Sequence, residues 1–295
     1  LVGEFTINTL LQKGIDILGE GDYFNPLLDA QLLLCHVLNV DKLYIYTHKN
    51  DKIDVEYVDK FLNLIEKRKE RYPLQYILGK QEFMGLDFYV EEGVLIPRPD
   101  TEILIEKVIE IVNEGYFKEK EVINIIDIGT GSGAISLSLV HYIKNAFVYS
   151  VDISDIPIKV ASINAERLGL TDKIKFLKGD LFFPLKDLGL YNKIDIIVSN
   201  PPYIPSREIS GLQKEVSEFE PRLALDGGED GLYFYRKITD DSLDYLSNDG
   251  ILAYEIGHDQ GKEVEKLLSE KDIFKCTEIV KDLAGHDRVV IGYKK

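Results

Sequence analysis

The run Val122-Ile123-Asn124-Ile125-Ile126-Asp127-Ile128 passes into Gly129-Thr130-Gly131-Ser132-Gly133-Ala134 and then into Ile135-Ser136-Leu137-Ser138-Leu139. An apolar strand, a glycine turn and an apolar helix in direct succession commit this part of the chain to an α/β layer. Such strands bury both faces only inside a mostly parallel sheet covered by helices. Strand-like runs recur at Ala146 to Val151, Ile174 to Leu177, Ile194 to Ser199 and Gly250 to Ile256, with Cys276 to Val280 and Arg288 to Tyr293 reading as a terminal hairpin. The expected fold class is α/β and Rossmann-like.

The glycine turn also reads as a nucleotide site. Gly129, Gly131 and Gly133 carry no side chains to hold a ligand off the backbone, and the helix that follows offers unpaired N–H groups. Asp152, nineteen residues beyond Gly133 at a second strand end, suits the two hydroxyls of a ribose. A pyrophosphate turn has the spacing G-x-G-x-x-G, whereas here the pattern is G-T-G-S-G, with Asp127 two residues before the first glycine. An acid there repels phosphate and favours a cation. S-adenosylmethionine, with a sulfonium and an α-ammonium, meets that requirement, with Asp127 reaching the ammonium directly or through water. Thr130 and Ser132 belong to the same turn. At a third strand end, Asp180 is placed to accept from an adenine amine, and Leu181 and Phe182 to wall the ring, although Phe182 and Phe183 are expected in the core instead.

Directly after the run Ile194 to Ser199 stand Asn200-Pro201-Pro202-Tyr203, at the edge where an open α/β sheet presents its ligands. A carboxamide, two prolines that fix the course of the chain and an aromatic ring form a rigid receptor for something planar that carries an NH2 group.

Asp127 to Gly133, Asp152 and Asn200 to Tyr203 resemble the motifs of class I S-adenosylmethionine-dependent methyltransferases. Tyr72-Pro73-Leu74-Gln75-Tyr76-Ile77-Leu78-Gly79, Leu95-Ile96-Pro97-Arg98-Pro99-Asp100-Thr101-Glu102, Glu220-Pro221-Arg222, Gly228-Glu229-Asp230-Gly231-Leu232, Glu255-Ile256-Gly257 and Asp287-Arg288-Val289-Val290 narrow the resemblance to the peptide chain release factor glutamine N5-methyltransferases, the HemK or PrmC family. The resemblance implies seven strands with the last antiparallel. It also implies methyl transfer to the glutamine of the Gly-Gly-Gln motif of class 1 release factors, with S-adenosylhomocysteine as product. In that reading the Asn200 side-chain oxygen and the Pro201 carbonyl accept the two amide hydrogens, Pro202 holds the loop, Tyr203 packs on the amide plane, and Asn200 also borders the cofactor. Some relatives carry an aromatic where this chain has Leu181, which makes that contact aliphatic here.

The expected organisation is an N-terminal helical bundle over residues 1–81 that recognises the partner, a β-hairpin linker over 82–97 that alternates around Glu91-Glu92-Gly93, and a methyltransferase domain over 98–295. Asn25-Pro26 reads as an N-cap with proline at the first helical position before Leu27 to Leu38. Val55, Val58, Leu62 and Ile65 mark an amphipathic helix, and Ile7, Leu10, Leu11, Ile15 and Leu18 another. Lys67-Arg68-Lys69-Glu70-Arg71 reads as an exposed helix face, Asp226 to Asp230 as a solvated loop, and Arg98 and Glu102 as a helix cap and ion pair.

An adenine-specific nucleic-acid methyltransferase could use the same tetrapeptide. The charge argues against it, because 35 basic and 51 acidic residues give −16 and leave no basic stripe for phosphates. A non-catalytic scaffold would tolerate damage to the glycine loop or the tetrapeptide, and both are intact. The five histidines lack ligand spacing, so no metal is expected. Neither a signal-peptide pattern nor a membrane-length apolar run is present, so a cytoplasmic monomer without direct nucleic-acid or membrane partners is expected. Cys35 and Cys276 are expected as two buried thiols. The one methionine, Met84, is internal, so a native start residue is expected to be missing or replaced.

Overall fold

A computed structural model of the protein describes residues 5–19 and 25–295. They divide into two compact units, one ending at Gly79 and the other beginning at Lys80. The first is helical: α1 (Ile7–Leu18), α2 (Pro26–Leu38), α3 (Lys42–Thr47), α4 (Val55–Lys69) and α5 (Leu74–Leu78). Asn25 caps α2 by accepting from the Leu28 N–H at 3.1 Å, with Pro26 at the first helical position, as the sequence predicts. Leu10, Leu33, Leu34, Phe61 and Ile65 are fully buried and form the core of this unit. Gly14 on α1 makes room for α4, since a Cβ there would lie 2.6 Å from the Phe61 ring. One expectation fails here. Arg68 is not on an exposed face but 4 % exposed, with its Nε 2.7 Å from Asp29 Oδ2 and a second nitrogen donating to the Tyr72 carbonyl. Periodicity placed position 68 on the same stripe as Val58, Phe61 and Ile65, and the buried Asp29 is what lets a charge occupy it.

The second unit opens with a hairpin, β1 (Lys80–Phe83) and β2 (Leu86–Tyr89). Its turn falls at Met84 and Gly85 rather than near 91–93 as expected, because both residues take positive φ, 51° and 69°, and close a two-residue loop. After α6 (Pro99–Asn113) come β3 (Ile123–Ile128), α7 (Ala134–Tyr142), β4 (Ala146–Asp152), α8 (Asp155–Leu168), β5 (Ile174–Lys178) and β6 (Ile194–Ser199). Next are α9 (Lys214–Phe219), α10 (Tyr233–Tyr245), β7 (Leu246–Glu255), α11 (Gly261–Ser269), β8 (Phe274–Lys281) and β9 (Asp287–Lys294).

The seven strands from β3 onward form one sheet in the order β5-β4-β3-β6-β7-β9-β8, parallel except for β9, which runs antiparallel to both of its neighbours, β7 and β8. This is the Rossmann-like α/β sheet expected from the sequence. Two apolar layers, one on each face, bury residues such as Ile125, Leu137 and Val148 on one side and Ile126, Ile197 and Tyr254 on the other. The chain runs outward from β3 in one direction and returns beyond it through β6. The carboxyl ends of β3 and β6, where Ile128 lies opposite Ser199, therefore flank the switch point at which such sheets take ligands. Cys35 is buried as expected, but Cys276 is exposed, because an irregularity between Phe274 and Cys276 on the edge strand β8 shifts the alternation. No helix among the described residues is long and apolar enough to cross a membrane.

Candidate active site

A cavity of about 350 Å³ opens at this switch point. Of the residues singled out in the sequence, Gly129, Thr130, Gly131, Ser132, Asp152, Asp180, Leu181, Asn200, Pro201 and Pro202 all line it. Its size suits a nucleoside-sized ligand.

The three glycines do different things. Gly129 has φ 91° and faces the Asn200 carbonyl, 3.8 Å from where a Cβ would sit. Gly131 has φ 54° with no atom near its absent side chain, so its backbone is open to the cavity. Gly133 is not among the residues lining the cavity. A Cβ there would meet Leu137 at 2.9 Å and Ala161 at 3.1 Å, so it lets α7 close on α8.

Asp152 is half-buried and grips the backbone around it. Its Oδ2 accepts from the Gly131 N–H at 3.1 Å and its Oδ1 from the Ser154 N–H at 3.0 Å. Burial pushes its carboxyl up, and these N–H groups hold it down. Each oxygen keeps a further lone pair for a diol. Asp180 is exposed at the rim, and Leu181 beside it takes φ 45°, a left-handed conformation that costs a side-chain-bearing residue roughly 1–2 kcal/mol. The phenylalanines divide: Phe182 is core at 2 % exposure, whereas Phe183 is 69 % exposed.

Asp127 sits beneath the loop, not on the cavity wall. It is fully buried, its Oδ2 accepts from Ser150 Oγ at 3.0 Å, and its Oδ1 has no partner among the described residues. Burial pushes this carboxyl up to about 7, against hydrogen bonds from Ser136 and Ser150. Ser150 also lies 2.8 Å from Thr130 Oγ1, so the acid is tied to the loop through hydroxyls. A direct contact between Asp127 and a ligand in the cavity does not follow from this placement.

Asn200 is half-buried, and its Nδ2 donates to Thr101 Oγ1 at 3.2 Å, which leaves Oδ1 for the cavity. Neither Asn200 Oδ1 nor the Pro201 carbonyl accepts a hydrogen bond from a described residue. Tyr203 points its hydroxyl at Glu255 Oε1, 3.4 Å away, and burial raises its ionisation well above the usual phenol range. The segment 226–231 is not the free solvated loop expected from its charge. It pairs with the chain just after the tetrapeptide, Gly227 N–H donating to the Ile204 carbonyl at 2.8 Å, and Gly227 and Gly231 have no side chains to collide with the Pro202 and Tyr203 backbone. Gln260 clamps the same stretch, donating to the Tyr203 carbonyl at 3.0 Å.

Two contributors escaped the sequence reading. Thr101 and Glu255 stood inside quoted motifs without a role, yet they touch Asn200 and Tyr203. Arg98 is not the helix cap paired with Glu102 that the sequence predicts: its side chain makes no capping bond and reaches the buried Glu220 at 2.5 Å, while Glu102 accepts from the Met84 N–H. It is the one basic residue among the described residues lining the cavity. A wall with a single guanidinium, already paired, and carboxylates at Asp152 and Asp180 is a poor seat for a pyrophosphate and a good one for a ligand that is cationic or zwitterionic.

Comparison with known proteins fits this geometry. Residues 9–79 match the PrmC N-terminal domain family and residues 119–283 a methyltransferase domain family. A release factor glutamine methyltransferase of Clostridium acetobutylicum is 43 % identical over 288 residues, 98 % of each chain. One from Moorella thermoacetica is 40 % identical over 292 residues, 98 % of this chain and 99 % of the other. A human methyltransferase 10 domain containing protein shares the fold, with a TM-score of 0.52 at 19 % identity over 70 % of this chain and 88 % of that one.

Proposed function

The chain belongs to the family of release factor glutamine methyltransferases, and on that premise we propose that it methylates the side-chain nitrogen of the glutamine in a release factor's Gly-Gly-Gln motif, using S-adenosylmethionine. The observation that carries this reading is the pair of unengaged acceptors, Asn200 Oδ1 and the Pro201 carbonyl, in residues that line a cavity shared with the glycine loop and Asp152.

The residues present fit that cofactor. Asp152 has acceptor capacity for the ribose diol, the open backbone at Gly131 admits close approach, and Leu181 and Ile153 supply apolar wall for a base, with Asp180 at its edge. S-adenosylmethionine supplies an electrophilic methyl on a positively charged sulfur.

The chain's own task is then positioning. An amide nitrogen is a weak nucleophile because its lone pair is delocalised into the carbonyl. Asn200 Oδ1 and the Pro201 carbonyl each accept one N–H of the substrate amide, which fixes the direction of the nitrogen and returns some electron density to it. The carbonyl dipoles also favour the positive charge that develops on nitrogen as it is alkylated, more than they favour the neutral ground state. Pro202 keeps the acceptors in place and Tyr203 flanks the amide plane. Alignment of two bound reactants supplies roughly 7–11 kcal/mol in favourable cases. The surplus proton passes to water, since neither acceptor is a base. The N-terminal helices are assigned to recognising the release factor, and the protein to the cytoplasm as a monomer.

The test is transfer of labelled methyl from S-adenosylmethionine to a purified release factor, beside the same factor with its motif glutamine changed to alanine and beside adenine-containing DNA. Label on the intact factor alone is expected. Label on the DNA, or equally on the altered factor, overturns the reading.

A further inference from the structure

Three segments singled out in the sequence, Asn200 to Tyr203, Gly228 to Leu232 and Glu255 to Gly257, meet at one side chain, the Gln260 amide. Its Nε2 donates to the Tyr203 carbonyl at 3.0 Å and to the Gly231 carbonyl at 3.3 Å, while its Oε1 accepts from the Gly257 N–H at 3.0 Å. Both hydrogens and the oxygen of the amide are therefore engaged. Reversing it would set its oxygen against two carbonyls and its NH2 against an N–H, so one orientation alone fits. The backbone leaves room for it: a Cβ at Gly231 would lie 2.7 Å from Nε2, and one at Gly257 2.9 Å from Oε1. Gln260 is buried immediately before α11 and is not among the residues lining the cavity.

We propose that Gln260 is a positioning residue of methyl transfer, a clamp on the carboxyl end of Asn200-Pro201-Pro202-Tyr203 that fixes the direction of the Pro201 carbonyl and the place of the Tyr203 ring. This rests on the reading of the tetrapeptide given above. The other end of the tetrapeptide is held by the sheet: Ser199 lies opposite Ile128 on β3, and its hydroxyl donates to the Ile128 carbonyl at 2.6 Å. Between the two anchors stand two prolines, whose rings lock φ. A short segment held at both ends, with two of its φ angles locked, has little freedom to turn its carbonyls, which is what an acceptor aimed at one particular N–H requires. The hydrogen bond from the Gly227 N–H to the Ile204 carbonyl joins the two loops to each other, and the Gln260 amide joins both to the chain leaving β7. The Tyr203 hydroxyl meets Glu255 Oε1 at the end of that same strand, 3.4 Å away, so this residue is held by its backbone and by its ring. The chemistry of the clamp calls for an amide. A carboxylate has no hydrogen to give the two carbonyls, and an apolar side chain leaves both of them and the Gly257 N–H without this partner.

The experiment compares the unaltered protein with Gln260→Met and Gln260→Glu, measuring kcat and KM for release factor from acid to alkaline pH together with S-adenosylmethionine binding by calorimetry. Gln260→Met should lower kcat roughly ten- to a hundredfold, as loss of a positioning hydrogen bond does. Cofactor affinity should be little changed, because Gln260 acts on the tetrapeptide and not on the cavity wall. Gln260→Glu should be as slow at alkaline pH, where its ionised carboxylate faces the Tyr203 and Gly231 carbonyls. Once protonated, the carboxyl has one hydrogen for the Tyr203 carbonyl and an oxygen for the Gly257 N–H, so its kcat relative to the unaltered protein should recover as pH falls. Should Gln260→Met fail to fold, the pH dependence of Gln260→Glu decides alone. If the unaltered protein transfers methyl to release factor and Gln260→Met matches its kcat or loses cofactor affinity to the same degree, or Gln260→Glu is equally slow at every pH, the clamp is wrong while the function stands. If the unaltered protein transfers nothing to release factor, the functional reading fails and the proposal falls with it.

Discussion

Gly131 donates its backbone N–H to Asp152 Oδ2 at 3.1 Å, so the carboxylate at the end of β4 also holds the glycine loop that follows β3. Removing the carboxylate thus loosens the loop as well as deleting a ligand contact. Asp152→Ala should weaken S-adenosylmethionine binding by roughly ten- to a hundredfold, the range for a lost charged hydrogen bond, with the fold retained. Calorimetric titration checks this, and unchanged affinity would remove Asp152 from the site.

Gly131 and Gly133 should respond differently to the same change. In Gly131→Ala the new methyl meets no protein atom and the cost is that of φ 54°, on the order of 1 kcal/mol, so the chain should fold but bind cofactor poorly. In Gly133→Ala the methyl falls 2.9 Å from Leu137 and 3.1 Å from Ala161, with φ 83°, so the loss should appear in thermal stability. Melting and binding curves for the two variants should rank them in opposite orders.

Asp127 bears on stability with a definite sign. Its carboxyl ionises near 4 in the unfolded chain but is pushed up to about 7 in the fold. Between those values the folded state keeps a proton that the unfolded state has lost, so stability declines as pH rises through that window and levels off above it. Glu255 acts in the same direction. Asp127→Asn removes one such contribution and should lose less stability between about pH 5 and pH 8 than the unaltered chain in urea unfolding. Equal losses would mean that Asp127 ionises normally.

In the N-terminal unit, Asp29→Ala leaves the Arg68 guanidinium buried without its carboxylate and should cost about 3–5 kcal/mol. The double change Asp29→Leu with Arg68→Met should recover most of that loss. Denaturant melts of the three proteins give the comparison.

A chain starting at Lys80 keeps every residue that lines the cavity and should still bind S-adenosylmethionine. If the N-terminal helices recognise the partner, it should methylate release factor with a much higher KM, and unchanged kcat/KM would refute that role.

Most of the fold was legible because it rests on local pattern. The glycine turn after β3, the acid ending β4 and the proline pair after β6 each lie within a few residues of a strand end, and the parallel order brings those ends together. What sequence could not reveal were partnerships across long separations. Nothing near Thr101 announces that Asn200, ninety-nine residues on, bonds to it, and nothing near Arg68 announces Asp29. Cys276 was misplaced because an irregular edge strand breaks the alternation on which inside and outside are judged. The glycines at 227 and 231 looked like loop composition until the tetrapeptide backbone was seen lying against them.

β9 lies between β7 and β8, although it follows both of them in the chain. While the ribosome still holds residues 287–294, β7 and β8 each lack the neighbour they pair with, and Arg288 has not yet met Asp100 of α6. The nascent chain thus exposes an unfinished sheet until translation has passed its final strand. An enzyme that acts on termination factors would complete its own sheet only once β9 has been made.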